Sequence, residues 1–182
     1  MSHLSHFDAE GDSRMVDVGD KEITVRRARA SGRVRMQAAT LCLLRNRQLA
    51  KGDVLEVARL AGILAAKRTG ELIPLCHVLP LDAVSVRFEF PDAATISIEA
   101  EARATARTGV EMEALVAVGT AALTIYDMCK SVDRGMVVEQ LRLEEKSGGQ
   151  SGHFIRQTES ENYPKTTAST KPGGSPQTGK DS

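Results

Sequence analysis

AVSVRFEFPDAATISIEAEA, residues 83–102, alternates apolar and polar side chains on both sides of a Pro-Asp turn. Val84, Val86, Phe88 and Phe90 share one face of the first run, and Ile96, Ile98, Ala100 and Ala102 share one face of the second. A period of two over that length predicts two half-buried strands joined as a β-hairpin at Pro91-Asp92. One face of each strand is apolar, so other parts of the chain must cover it.

The flanking segments supply that cover. Gln37–Leu49 predicts a first helix. Gly52-Asp53 offers an N-cap to a second, in which Val54, Val57, Leu60, Ala61 and Leu64 recur at helical spacing until Gly70, after Lys67 and Arg68, marks the end. Val110–Val132, rich in Ala, Val and Leu, predicts a long and largely buried helix. Glu22–Ala30, with Ile23, Val25 and Ala28 among basic residues, and Met136–Glu145 predict two further strands. The order β, α, α, β, β, α, β implies an α+β, ferredoxin-like sandwich with helices on one face of a largely antiparallel sheet. Only 3% of residues are aromatic, so few bulky groups fill space and a second copy is expected to cover part of the surface.

A length of 182 residues fits a single α+β domain over residues 15–157. The leader 1–14 and the Pro-, Gly-, Ser- and Thr-rich tail 158–182 are expected to be disordered. Lys plus Arg and Asp plus Glu are 24 each, so charge balance gives no general attraction to nucleic acid or to an anionic membrane. The apolar runs are too short and mixed for a bilayer span to be expected, and the N-terminus has no basic region followed by an apolar one. Three cysteines without CxxC spacing suit a reducing, cytoplasmic setting.

Within AALTIYDMCK, residues 121–130, Asp127 and Lys130 stand at i and i+3, on one helical face. Such spacing commonly marks a solvated ion pair. The apolar neighbours Ile125, Tyr126 and Met128 weaken that reading and leave open a partly desolvated pair suited to acid–base chemistry. In LIPLCHVLPL, residues 72–81, Pro74 and Pro80 stiffen a loop that holds His77, either at a pocket wall or in the core. Cys76 and His77 are adjacent, so in extended backbone they point apart, and a zinc site is not expected. Glu111 and Glu113 fit the first turn of the long helix as complements to its dipole. Lys51, Lys67, Arg68 and Lys146 would seat a polyanion if the fold gathered them. The glycine-rich stretch Ser147–Gly152 lacks P-loop spacing and reads as a loop or lid.

Taken together, LIPLCH (72–77), RTGVEMEAL (107–115), LTIYDMCK (123–130) and KSGGQSG (146–152) resemble the cyclic pyranopterin monophosphate synthase family of molybdenum cofactor biosynthesis. MVDVGDK (15–21) and KGDVLEVARLAGILAAKRT (51–69) extend the likeness in order along the chain. The resemblance implies a lyase acting on a cyclised dihydroguanosine triphosphate, forming a pyran ring and a cyclic phosphate with release of diphosphate. It implies a hexamer, a trimer of dimers, with sites between subunits. It also implies that Asp127 and Lys130 are catalytic, and that Leu75, Cys76, His77, Met112 and Glu113 line the substrate site. Lys51, Lys67 and Arg68 are implied as polyphosphate contacts. No metal or resident cofactor is implied, though a divalent cation accompanying the triphosphate is compatible with the reaction. Two positions depart from the family pattern: Val78 directly after His77, and Gln150 where a second lysine is common.

Overall fold

The computed structural model describes residues 11–49, 52–150 and 152–157. The remaining leader and tail, and Lys51, lie outside the described residues. Among the described residues nine elements follow in order: β1 (Thr24–Arg35), α1 (Ala38–Arg45), α2 (Val54–Ala66), α3 (Thr69–Leu72), β2 (Ala83–Glu89), β3 (Thr95–Ala106), α4 (Glu111–Cys129), β4 (Val137–Ser147) and β5 (Phe154–Ile155). Every strand pairing is antiparallel, and the sheet order is β2-β3-β1-β4-β5. Its first four strands have the ferredoxin-like arrangement expected from the element order.

The hairpin forms as its alternation predicts, with Ala83 opposite Arg103 and Glu89 opposite Ser97. Ile96, Ile98, Ala100, Ala102 and Ala104 are fully buried on its inner face. Removal of each isoleucine from water contributes roughly 1.5–3 kcal/mol. The opposite face carries charge, with Arg27–Glu101 at 2.7 Å and Arg29–Glu99 at 2.8 Å as cross-strand pairs.

β1 differs from its expected reading. It runs five residues further, to Arg35, and its inner positions are Arg26, Ala28, Ala30, Gly32 and Val34, while Ile23 and Val25 are exposed. Small residues win the inner face because α4 lies close: a Cβ on Gly32 would sit 2.7 Å from a Val118 methyl. α2 is capped as predicted, Asp53 accepting from the Glu56 N–H at 3.2 Å. Its inner stripe is Val54, Ala58, Gly62 and Ala66, however, and Val57, Leu60 and Leu64 face outward. At Gly62 a Cβ would come within 2.8 Å of the Ala117 carbonyl oxygen, so this helix pair packs through small side chains.

Gly70 does not end the helical path. It sits inside α3, where a Cβ would meet the Val78 side chain at 2.8 Å and its backbone at 3.2 Å. Its smallness lets the loop after α3 pass closely overhead. By length and composition α4 would suit a membrane span, contrary to the expectation above. Half of it is buried within this domain, with Ala114, Ala117, Val118, Ala121 and Ile125 against the sheet and α2, which accounts for its apolar character.

Candidate active site

The 73–82 loop is pinned at its start by a turn in which the Cys76 N–H donates to the Ile73 carbonyl at 3.0 Å. Leu75, Cys76 and His77 are half-buried along it. They line a cleft of about 280 Å³ whose opposite wall is the first turn of α4, with Met112 and Glu113. Five residues from two distant sequence blocks therefore meet in one cleft. Val16 and Val18 of the segment before β1 close its side.

Glu113 is 4% exposed, and burial, with a smaller push from the Glu111 charge, raises its carboxyl to about 7. Its position in the first turn of α4 suggested a solvated dipole complement, but the fold turns it inward. The Cys76 thiol is also pushed up, first by burial and then by the charge of Glu113. A carboxyl that exchanges its proton near neutrality, in a cleft that an imidazole also lines, can give or accept protons from a bound molecule.

A second cleft, about 580 Å³, adjoins the first and shares Lys21, Thr108, Gly109 and Glu111 with it. Four cations line it: Lys21, Arg26, Arg107 and Lys146. Arg26 is only 8% exposed, and it donates to the Ala106 and Arg107 carbonyls at 3.2 and 3.1 Å. Lys146 pairs with Glu111 at 3.0 Å. Gly148 and Gly149 cross Arg26 with φ of +96° and +74°. A Cβ at Gly149 would collide with the Arg26 guanidinium, and one at Gly148 with the Val25 carbonyl oxygen. Glycine here permits both the left-handed backbone and the close passage. The cleft is thus a cationic cradle with a glycine-rich rim, suited to phosphates.

The other expected cations are placed elsewhere. Lys67 lines a separate depression with Pro80 and Asp82, across the loop from the first cleft, and Leu79 borders both. Arg68 is exposed and lines neither cleft. Of the cations singled out from sequence, Lys146 alone joins the cradle among the described residues. Lys21, Arg26 and Arg107 were not singled out. Lys21 and Arg107 do fall inside the motif blocks MVDVGDK and RTGVEMEAL.

Asp127 and Lys130 form an ion pair of 2.6 Å at the far end of α4, with side chains 60% and 52% exposed. The desolvation expected for this pair is therefore absent within one chain, because the apolar neighbours Ile125 and Met128 turn inward while the pair turns out. Fourteen residues of continuous helix separate Asp127 from Glu113, about 21 Å at 1.5 Å per residue. Cys42 is exposed, Cys76 lies in the cleft and Cys129 is buried, with no disulfide among them.

The MoaC family model matches residues 15–149, which take in the first cleft, all of the second but Gln150, and the Asp127–Lys130 turn. The chain is 58% identical over 153 residues to cyclic pyranopterin monophosphate synthase 3 of Mycobacterium tuberculosis, covering 84% of this chain and 86% of that protein. It is 59% identical over 157 residues to the cyclic pyranopterin monophosphate synthase of Chloroflexus aurantiacus, covering 85% and 96%. For the synthase of Desulfitobacterium hafniense the identity is 56% over 154 residues, covering 85% and 94%. The chain therefore belongs to the MoaC family, lyase-type enzymes of molybdenum cofactor biosynthesis.

Proposed function

We propose that this chain converts (8S)-3',8-cyclo-7,8-dihydroguanosine 5'-triphosphate to cyclic pyranopterin monophosphate and diphosphate. The observation that carries this reading is the pairing of a cleft of about 280 Å³, lined by Leu75, Cys76, His77, Met112 and Glu113, with a cationic cradle beside it. The base and ring system lie in the first cleft, where Glu113 accepts hydrogen bonds from the guanine-derived amine and ring N–H. The triphosphate lies along Lys21, Arg26, Arg107 and Lys146.

Ring opening and reclosure need protons delivered and removed at several atoms. Asp127 and Lys130 exchange them, and His77 supplies a further donor. A substrate hydroxyl attacks the α-phosphorus, its proton passes to a base, and the bond from the α-phosphorus to the bridging oxygen breaks as diphosphate departs. Cations stabilise the charge on that leaving group, so no covalent nucleophile is required. Nor is a resident cofactor, and a divalent cation would arrive with the triphosphate. Three cysteines with no disulfide among them fit a cytoplasmic setting.

About 21 Å of helix between Glu113 and Asp127 is more than one substrate can bridge. We infer that a neighbouring copy brings its own Asp127 and Lys130 to this cleft, within a homo-oligomer for which the family suggests a hexamer built as a trimer of dimers. The outward Val57, Leu60, Leu64 and Leu123 give it apolar surface to bury. Incubation of the wild-type enzyme with the cyclised substrate should release diphosphate and yield a product of the cyclic monophosphate's mass. Binding without any mass change would show a carrier and overturn the proposal.

A further inference from the structure

Among the described residues, Asp133 is the most deeply buried charged side chain outside the clefts, at 3% exposure. Both of its oxygens are engaged. Oδ2 accepts from the Gln37 backbone N–H at 2.8 Å and from the Thr40 hydroxyl at 3.2 Å. Oδ1 accepts from the Gly135 N–H at 3.0 Å and from the Gln37 amide at 3.5 Å. Gln37 is the N-cap residue of α1 and makes no side-chain cap of its own. Asp133 thus anchors the start of α1 from nearly a hundred residues away, accepting from the N-cap residue's own N–H and from the Thr40 side chain in the first turn.

The same residue closes the turn after α4. The Asp133 and Val132 N–H groups donate back to the Cys129 carbonyl at 3.1 and 2.9 Å. The Tyr126 hydroxyl donates to the Arg134 carbonyl at 3.3 Å. Cys129 is fully buried, and Met128 and Met136 nearly so. The last turn of α4 is consequently held from below by packing and from beyond by one carboxylate. Asp127 and Lys130 stand on that turn with more than half of each side chain exposed, so their own packing does little to fix them.

We propose that Asp133 is a positioning residue: by tying the 130–135 turn to the start of α1, it sets the direction in which Asp127 and Lys130 project. This rests on the reading of those two residues as the acid–base pair. A carboxylate suits the task because it accepts from donors on both oxygens, whereas an amide would set its NH2 group against a backbone N–H. The residue touches neither cleft, so its effect falls on the chemical step rather than on substrate binding.

Three variants test this with the full-length chain: Asp133→Asn, Asp133→Ala, and Ile96→Val as a core change remote from the turn. All three should lower Tm. Per folded molecule, kcat should fall about 10- to 100-fold in the two Asp133 variants, less in Asn than in Ala, as expected for a misplaced catalytic group. KM should stay within about twofold, and Ile96→Val should keep the wild-type kcat. If Asp133→Ala does not fold, Asp133→Asn decides. Wild-type kcat in a folded Asp133 variant, or a rise in KM with kcat unchanged, would overturn the proposal. Failure of the underlying reading shows separately, as full turnover in Asp127→Asn and Lys130→Ala.

Discussion

Substitution of Glu113 by Gln should change the pH dependence of stability in a window set by its burial. The folded carboxyl titrates at about 7 against 4.5 for an ordinary glutamate. Between those values the folded chain keeps a proton that the unfolded chain has released, so stability falls as pH rises through the window. Below 4.5 the group is neutral in both states and contributes nothing to the difference. Above about 7 the full penalty is present, on the order of 3 kcal/mol at 1.36 kcal/mol per unit. Gln matches the protonated form in shape and carries no charge. In urea unfolding, the variant should equal the wild type at pH 4 and exceed it by about 2–3 kcal/mol at pH 8. The comparison between the two proteins cancels every other titrating group. An equal difference at both pH values would refute the claim that burial raises the Glu113 carboxyl.

Asp127→Asn and Lys130→Ala should abolish diphosphate release while shifting stability by only about 0.5 kcal/mol, the worth of an exposed i,i+3 pair; a large loss of Tm would instead mark the pair as structural. Lys21→Ala, Arg107→Ala and Lys146→Ala should each weaken inhibition by added diphosphate and flatten its salt dependence, measured as Ki between low and moderate ionic strength. Gly149→Ala should cost about 1–2 kcal/mol by thermal unfolding from its left-handed backbone alone. It should also raise KM by pushing on Arg26, and an unchanged KM would separate the loop from the phosphate cradle.

Residues 83–102 disclosed their structure because both determinants are local: the period of two and the Pro-Asp turn. Asp53 was legible as a cap for the same reason. β1 was less so, because its inner face was decided by the approach of α4, which favours Ala28, Ala30 and Gly32 over the more apolar Ile23 and Val25. α2 shows the same effect, with Ala58 and Gly62 inside and Leu60 and Leu64 outside. Hydrophobicity ranks side chains by transfer energy, whereas a close helix contact selects them by size. The cleft residues Leu75 to His77 and Met112–Glu113 were visible through their motifs. Lys21, Arg26 and Arg107 became a cradle only when β1, the turn after β3 and the end of β4 met in space. Asp133 could signal only its local turn to Gly135, since its other partners lie at Gln37 and Thr40.

If one chain supplies the cleft and another the acid–base pair, two inactive variants should complement each other. Subunits carrying His77→Ala and subunits carrying Asp127→Asn should each be inactive alone. Refolded together at equal ratio, random assembly would unite an intact cleft with an intact Asp127 in about a quarter of sites. Recovery of about that fraction of wild-type diphosphate release is the predicted result. Mixtures that assemble fully yet remain inactive would contradict the shared site.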